Sequence, residues 1–116
     1  MKYKLIPVAK EPRTALNLTR VVADGAGDAF ISGEQFWRLG TANMGIQIQA
    51  VGCTITPSFT LFPQKEALSE DPLIQGNVPW AVQPAVSSGN MHLYPLATTA
   101  LKLSFSGEGE AIVVSW

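Results

Sequence analysis

Few side chains in this sequence of 116 residues are suited to chemistry. His92 is the only histidine and Cys53 the only cysteine. A metal site needs several converging ligands from Cys, His or carboxylates. A cysteine nucleophile needs a base beside it and a third group to orient that base. One His and one Cys, far apart in sequence, predict neither. His92 reads as a loop or strand-end residue making a hydrogen bond, and Cys53 as a hairpin-turn or strand-start residue. Carboxylate pairs can perform acid–base work. Glu108 and Glu110 flank Gly109, and Glu70–Asp71 precede Pro72. Both pairs fall in predicted turns or loops, where solvation accounts for them. "GAGDAF", residues 25–30, lacks the lysine and the strand-to-helix setting of a phosphate loop. No catalytic residue, metal ligand or cofactor is predicted.

The aromatic residues carry more signal. Trp37, Trp80 and Trp116 are the three tryptophans, and Trp80 lies in a proline-rich stretch as "NVPWAV". Loop tryptophans anchor protein interfaces and stack on sugars. The competing reading is that Trp80 folds back over the core beneath its own loop. Trp116 is expected to pack across a sheet or against a neighbouring chain.

Composition narrows the class. The length suits one domain, and residues 1–116 are read as a single unit. Hydrophobic residues make up 47% and charged residues only 15%, against about 25% charged in typical domains. That is too apolar for a disordered chain, and the low charge fits a surface partly covered by neighbours. The net charge of -1 gives no global attraction for nucleic acid. Charge is uneven, however: Lys2, Lys4, Lys10, Arg13 and Arg20 are opposed only by Glu11 in the first twenty residues. This basic segment, about residues 1–15, is a candidate extended arm. A single cysteine forbids an internal disulfide. The start has too short an apolar run for a signal peptide, and no stretch reaches membrane-spanning length.

Apolar residues recur at period two, the strand pattern. "YKLIPV" is a first strand, with Pro7 marking a sheet edge or bulge. Leu16, Leu18 and Val21 or Val22 suggest a second, and "EQFWRLG" another. "IQIQAV" alternates Ile46, Ile48 and Ala50 with Gln47, Gln49 and Val51. "CTITPSFTLF" alternates Cys53, Ile55, Pro57, Phe59 and Leu61 with Thr54, Thr56, Ser58 and Thr60. Gly52–Cys53 between them predicts a tight hairpin, its Gln and Thr residues sharing one wet, uncharged face. Residues 63–90 form a long proline-rich loop, with one helical turn at "KEALSE". "TALKLSF" and "AIVVSW", joined by the turn "SGEGE", predict a closing hairpin. The fold expected is all-β: a small antiparallel β-sandwich or jelly-roll-like barrel with one long Pro-rich loop.

Residues 44–116 resemble the small decoration (cement) proteins of tailed-bacteriophage capsids. The likeness rests on the alternating segment "IQIQAVGCTITPSFTLF", the loop with its aromatic anchor "NVPWAV", the segment "MHLYPLATT", and the close "LKLSFSGEGEAIVVSW". It implies a non-enzymatic virion protein made in the host cytoplasm. Such a protein binds the major capsid protein on the capsid surface as a homotrimer, without nucleic acid, membrane or cofactor. Interface candidates are then Lys2, Tyr3, Lys4, Lys10 and Arg13 on the arm, with Trp80, Tyr94 and Trp116. A second reading is a carbohydrate-binding module, or a tail or adsorption component, using Trp80 and Tyr94.

Overall fold

The computed structural model describes residues 1–11, 16–33, 45–94 and 98–115, with backbone alone for 9–11, 16 and 17. It contains strands β1 (Tyr3–Glu11), β2 (Leu16–Ala23), β3 (Gly27–Ser32), β4 (Ile46–Val51) and β5 (Ile55–Thr60). Helical turns α1 (Gln64–Ala67) and α2 (Pro72–Gln75) follow, then β6 (Ala81–Val82), β7 (Met91–Tyr94), β8 (Ala100–Phe105) and β9 (Gly109–Ser115). The strands form a five-stranded sheet, β1-β2-β9-β4-β7, and a four-stranded sheet, β3-β8-β5-β6. All pairings are antiparallel. The all-β, jelly-roll-like expectation is the observed architecture.

The period-two pattern placed the right residues inside. Ile46, Ile48 and Ala50 of β4 and Ile55, Pro57 and Phe59 of β5 face the space between the sheets, with Leu101, Leu103 and Phe105 of β8 and Ala111 and Val113 of β9. This interior is a packed apolar core that also holds Val21, Ala29, Ile31 and Val86. Each fully buried aliphatic side chain contributes about 1.5–3 kcal/mol of transfer free energy.

The pairing differs from the sequence expectation. β4 pairs with β9 and β7, while β5 pairs with β8 and β6. Neither predicted hairpin forms. Residues 52–54 and 106–108 are arches that carry the chain from one sheet to the other, as does the turn between β2 and β3. A hairpin and an arch bury the same alternate residues, so alternation does not distinguish them. The two arches lock together. Thr54 N–H donates to Ser106 Oγ at 2.9 Å, and Ser106 N–H to the Thr54 carbonyl at 2.9 Å. Gly52 takes a φ of 77°, the left-handed region that glycine tolerates. Gly109 is required because an added Cβ would overlap the Cys53 side chain and the Val51 carbonyl. Buried Cys53 closes this end of the core, and burial pushes its thiol pKa up from the ordinary range.

Residues 61–80 fold as a strap over the outer face of the four-stranded sheet. α1 is the helical turn anticipated at "KEALSE". Asp71 caps α2, its Oδ1 accepting the Leu73 N–H at 2.9 Å, with Pro72 at the first helical position. Ala67 and Val78 are buried with Ala100, and Phe62, Leu68 and Trp80 pack around them. The strap therefore covers the face read as wet: Ser58 and Thr60 are 2% and 5% exposed. β5 ends at Thr60, and Leu61, expected in the core, is exposed on the strap. Residues 3–11 do not project as an arm. They form the edge strand β1, paired with β2, with a bulge between Pro7 and Ala9 as Pro7 suggested. The predicted strand "EQFWRLG", with Trp37, lies outside the described residues.

Candidate functional site

The arches occupy one end of the sandwich, and the other end is where polar groups enter the interior. β9 runs Ala111, Val113, Ser115 on its inner side, so its last inward residue is a serine. In register beside it, Ile46 opens β4, and Tyr94 closes β7 on the far side of Ile46. Strand spacing puts the Tyr94 and Ser115 backbones about 10 Å apart. Both side chains are buried, and neither the Tyr94 nor the Ser115 hydroxyl has a hydrogen-bond partner. One residue pair deeper, His92 faces the same side, next to Ile48. It is half-buried, its ring centroid 6.2 Å from that of Tyr94. Phe59 of the opposite sheet packs on Tyr94 with centroids 5.1 Å apart and planes tilted by 55°. Burial raises the Tyr94 pKa, so its hydroxyl stays protonated and can donate.

The opposite sheet meets this end through a satisfied network. Thr98 Oγ1 lies within hydrogen-bond reach of the Thr60 and Ala100 carbonyls, and it accepts the Thr60 N–H. Thr99 Oγ1 reaches the Thr60 and Phe62 carbonyls. Gln64 Nε2 donates to the Thr99 carbonyl at 3.1 Å and also contacts Ser32 Oγ. Among the described residues the buried side-chain oxygens without a partner are Tyr94 Oη and Ser115 Oγ at this end and Glu66 Oε2 on the strap. Each unsatisfied buried hydroxyl costs about 1–3 kcal/mol, and such groups call for a specific explanation.

The interface candidates read from the sequence scatter. Tyr94 alone lies at this end. Trp80 sits on the strap, half-buried over the outside of the four-stranded sheet. Its ring lies 6.0 Å from Phe30 and 4.9 Å from Lys102 Nζ, and its Nε1–H donates to Gln75 Oε1 at 2.8 Å. It is the folded-back tryptophan, not a loop anchor. Lys2 and Lys4 are exposed on the β1 edge toward the arch end. Tyr3 points inward, its hydroxyl bonded to the N–H and carbonyl of Phe30. Lys2, Tyr3 and Lys4 line an open groove of about 600 Å³ with Asp24 and Glu108. Lys10 lies in β1, its side chain outside the described residues, and Arg13 and Trp116 also fall outside them. Ser115 was missed, although a lone serine at an inward position of "AIVVSW" was a readable signal.

No family model and no curated sequence matches the chain. Solved structures do match in fold. Cobalt(II) HppE in complex with Tris buffer aligns with a TM-score of 0.55 at 12% identity, over 98% of this chain and 53% of that one. Iron(II) HppE in complex with substrate aligns at 0.56 and 14%, over 100% and 56%. A putative mannose-6-phosphate isomerase from Ralstonia eutropha aligns at 0.51 and 10%, over 98% and 83%. The chain thus spans about half the length of the HppE chains. The likeness places its fold among cupin-like jelly rolls.

These neighbours correct the functional expectation. They are enzymes, not capsid proteins, and the reading as a non-enzymatic, capsid-binding virion protein is overturned. The misreading has a physical source: a Ser/Thr face taken as wet and inert is buried under the chain's own strap. The major capsid protein as partner followed from that resemblance alone. The metal of the HppE structures does not fit these residues. Among the described residues no three His, Cys, Asp or Glu side chains cluster to hold an ion, and His92 stands alone at the polar end. What the arrangement offers is a protonated hydroxyl donor, a second hydroxyl and an imidazole against an aromatic wall. In fold the chain resembles these structures: a two-sheet β-sandwich with an apolar packed centre and one end holding two unpartnered hydroxyls.

Proposed function

We propose that this chain is an enzyme-like small-molecule-binding domain that seats a polar ligand at the end of the sandwich marked by Tyr94, Ser115 and His92. The observation that carries the reading is the pair of buried hydroxyls without partners, Tyr94 and Ser115, on one inner row of the five-stranded sheet. A ligand with hydroxyl, carbonyl or phosphoryl oxygens completes them. Tyr94 supplies a protonated phenol that can donate to such oxygens, and the His92 imidazole adds a ring nitrogen on the same inner side of β7. A sugar phosphate is the first class to try, because the isomerase neighbour is named for one.

Two readouts test the reading. Tyr94→Phe keeps the ring against Phe59 and removes an unsatisfied hydroxyl, so the free protein should gain about 1–3 kcal/mol in urea unfolding. Mannose 6-phosphate should perturb the Tyr94 and His92 ring resonances of the parent protein and bind the variant at least tenfold more weakly. A Tyr94→Phe variant that is destabilised would show that the hydroxyl already serves the fold, and the reading would fall.

A further inference from the structure

β9 poses a question that the core does not answer. Ala111, Ile112, Val113 and Val114 are apolar on both sides of the strand. An antiparallel strand with one solvated face alternates, and a strand apolar on both sides is covered on both. Ala111 and Val113 face the core, so Ile112 and Val114 face outward. The register extends this pattern over the whole sheet. One outer row runs Leu93, Gln47, Val114, Leu18 from β7 to β2. The next runs Met91, Gln49, Ile112, Arg20, Ile6 across all five strands. The third runs Val51, Glu110, Val22, Lys4. Apolar side chains dominate, and Leu93 and Met91 are 60% and 51% exposed.

We propose that this outer face of the five-stranded sheet is the interface of a twofold homodimer. Three observations select a second copy as the occupant. First, the charges suit an identical face. Arg20 and Glu110 neutralise each other within the chain, Nε and Nη2 at 3.0 and 2.6 Å from one carboxylate oxygen, leaving Lys4 at the rim. An oppositely charged partner would have little to grip, whereas two copies meet without opposed like charges. Second, Gln47 and Gln49 sit between apolar neighbours, and a primary amide is both donor and acceptor. Such residues are self-complementary across a twofold axis, where one patch must fit itself. Third, the size fits. Five strands at about 4.8 Å and about six residues at about 3.3 Å give a face roughly 24 by 20 Å in projection. Side-chain relief enlarges it to the order of the about 800 Å² per partner of a stable interface. Two such faces would pack as aligned sheets about 10 Å apart.

Light scattering coupled to size exclusion, from about 1 to 200 µM, is the test. The parent chain should show twice its 12.4 kDa mass. Leu93→Asp, at an exposed edge position, and Ile112→Lys, at the centre, should each return the mass to that of one chain with the far-UV spectrum unchanged. Either variant alone keeping its fold suffices. A parent chain monomeric across the range means that something other than a second copy covers the face, and overturns the proposal. So does a trimer, or a dimer that survives a folded variant.

Discussion

The outer faces of the two sheets are opposites. The four-stranded sheet presents Thr56, Ser58, Thr60, Lys102 and Ser104 outward, residues that tolerate water, yet Ser58 and Thr60 are buried by the strap. The five-stranded sheet presents Ile6, Val22, Met91, Leu93, Ile112 and Val114 outward, and several of them lie in solvent. Residue type therefore does not report which face is covered. A polar face can be buried if a segment of the same chain satisfies its hydrogen bonds, as Thr98, Thr99 and Gln64 do here. An apolar face can be exposed in a single chain if its cover is another molecule.

One substitution placed on both faces gives the largest contrast. Ala67→Asp puts a carboxylate into the fully buried contact between strap and sheet, where no cation is provided. A loss of about 3 kcal/mol or more is expected. Leu93→Asp, on the open face, should change the stability of the single chain by no more than about 0.5 kcal/mol. Urea unfolding of both variants at low concentration measures the difference, and equal losses would erase the distinction between the faces. An intermediate effect is expected from Trp80→Ala. It removes the Phe30 and Lys102 contacts and the bond to Gln75, about 2 kcal/mol together. Proteolysis should then cut first within residues 61–80, because the strap loses its hold while the sandwich keeps its core. A comparably small effect belongs to Arg20→Ala in the single chain at low concentration. The Arg20–Glu110 pair is partly exposed, so below about 1 kcal/mol is expected, and less in high salt. A larger loss would mean that the pair is desolvated, as it would be at an interface.

Much of the candidate site was legible in principle. Tyr94 was singled out as an aromatic, and the inward serine of "AIVVSW" could have been noticed by counting alternate residues from Ala111. His92 was dismissed because a lone histidine carries no chemistry by itself. Its meaning comes from sharing the inner face of β7 with Tyr94, two residues on, and from the neighbours β4 brings. Trp80 was read with two outcomes open, and only packing could choose between them. Its partners Phe30 and Lys102 come from β3 and β8, elements remote in sequence.

Local chemistry determined strands β1, β2, β4, β5, β8 and β9 with most of their inward residues, the glycine at the β4–β5 turn and the helical turn at residues 64–67, but not β3, β6 or β7. These follow from side-chain alternation and backbone preference over a few residues. The tertiary structure decided which strands pair, because arch and hairpin hide the same side chains and differ only in their distant partners. It also decided that a polar face is buried, that an apolar one is open, and that two buried hydroxyls end on either side of β4 without a bond. Those outcomes depend on contacts between residues far apart in the chain, such as Arg20 with Glu110, that no local pattern encodes.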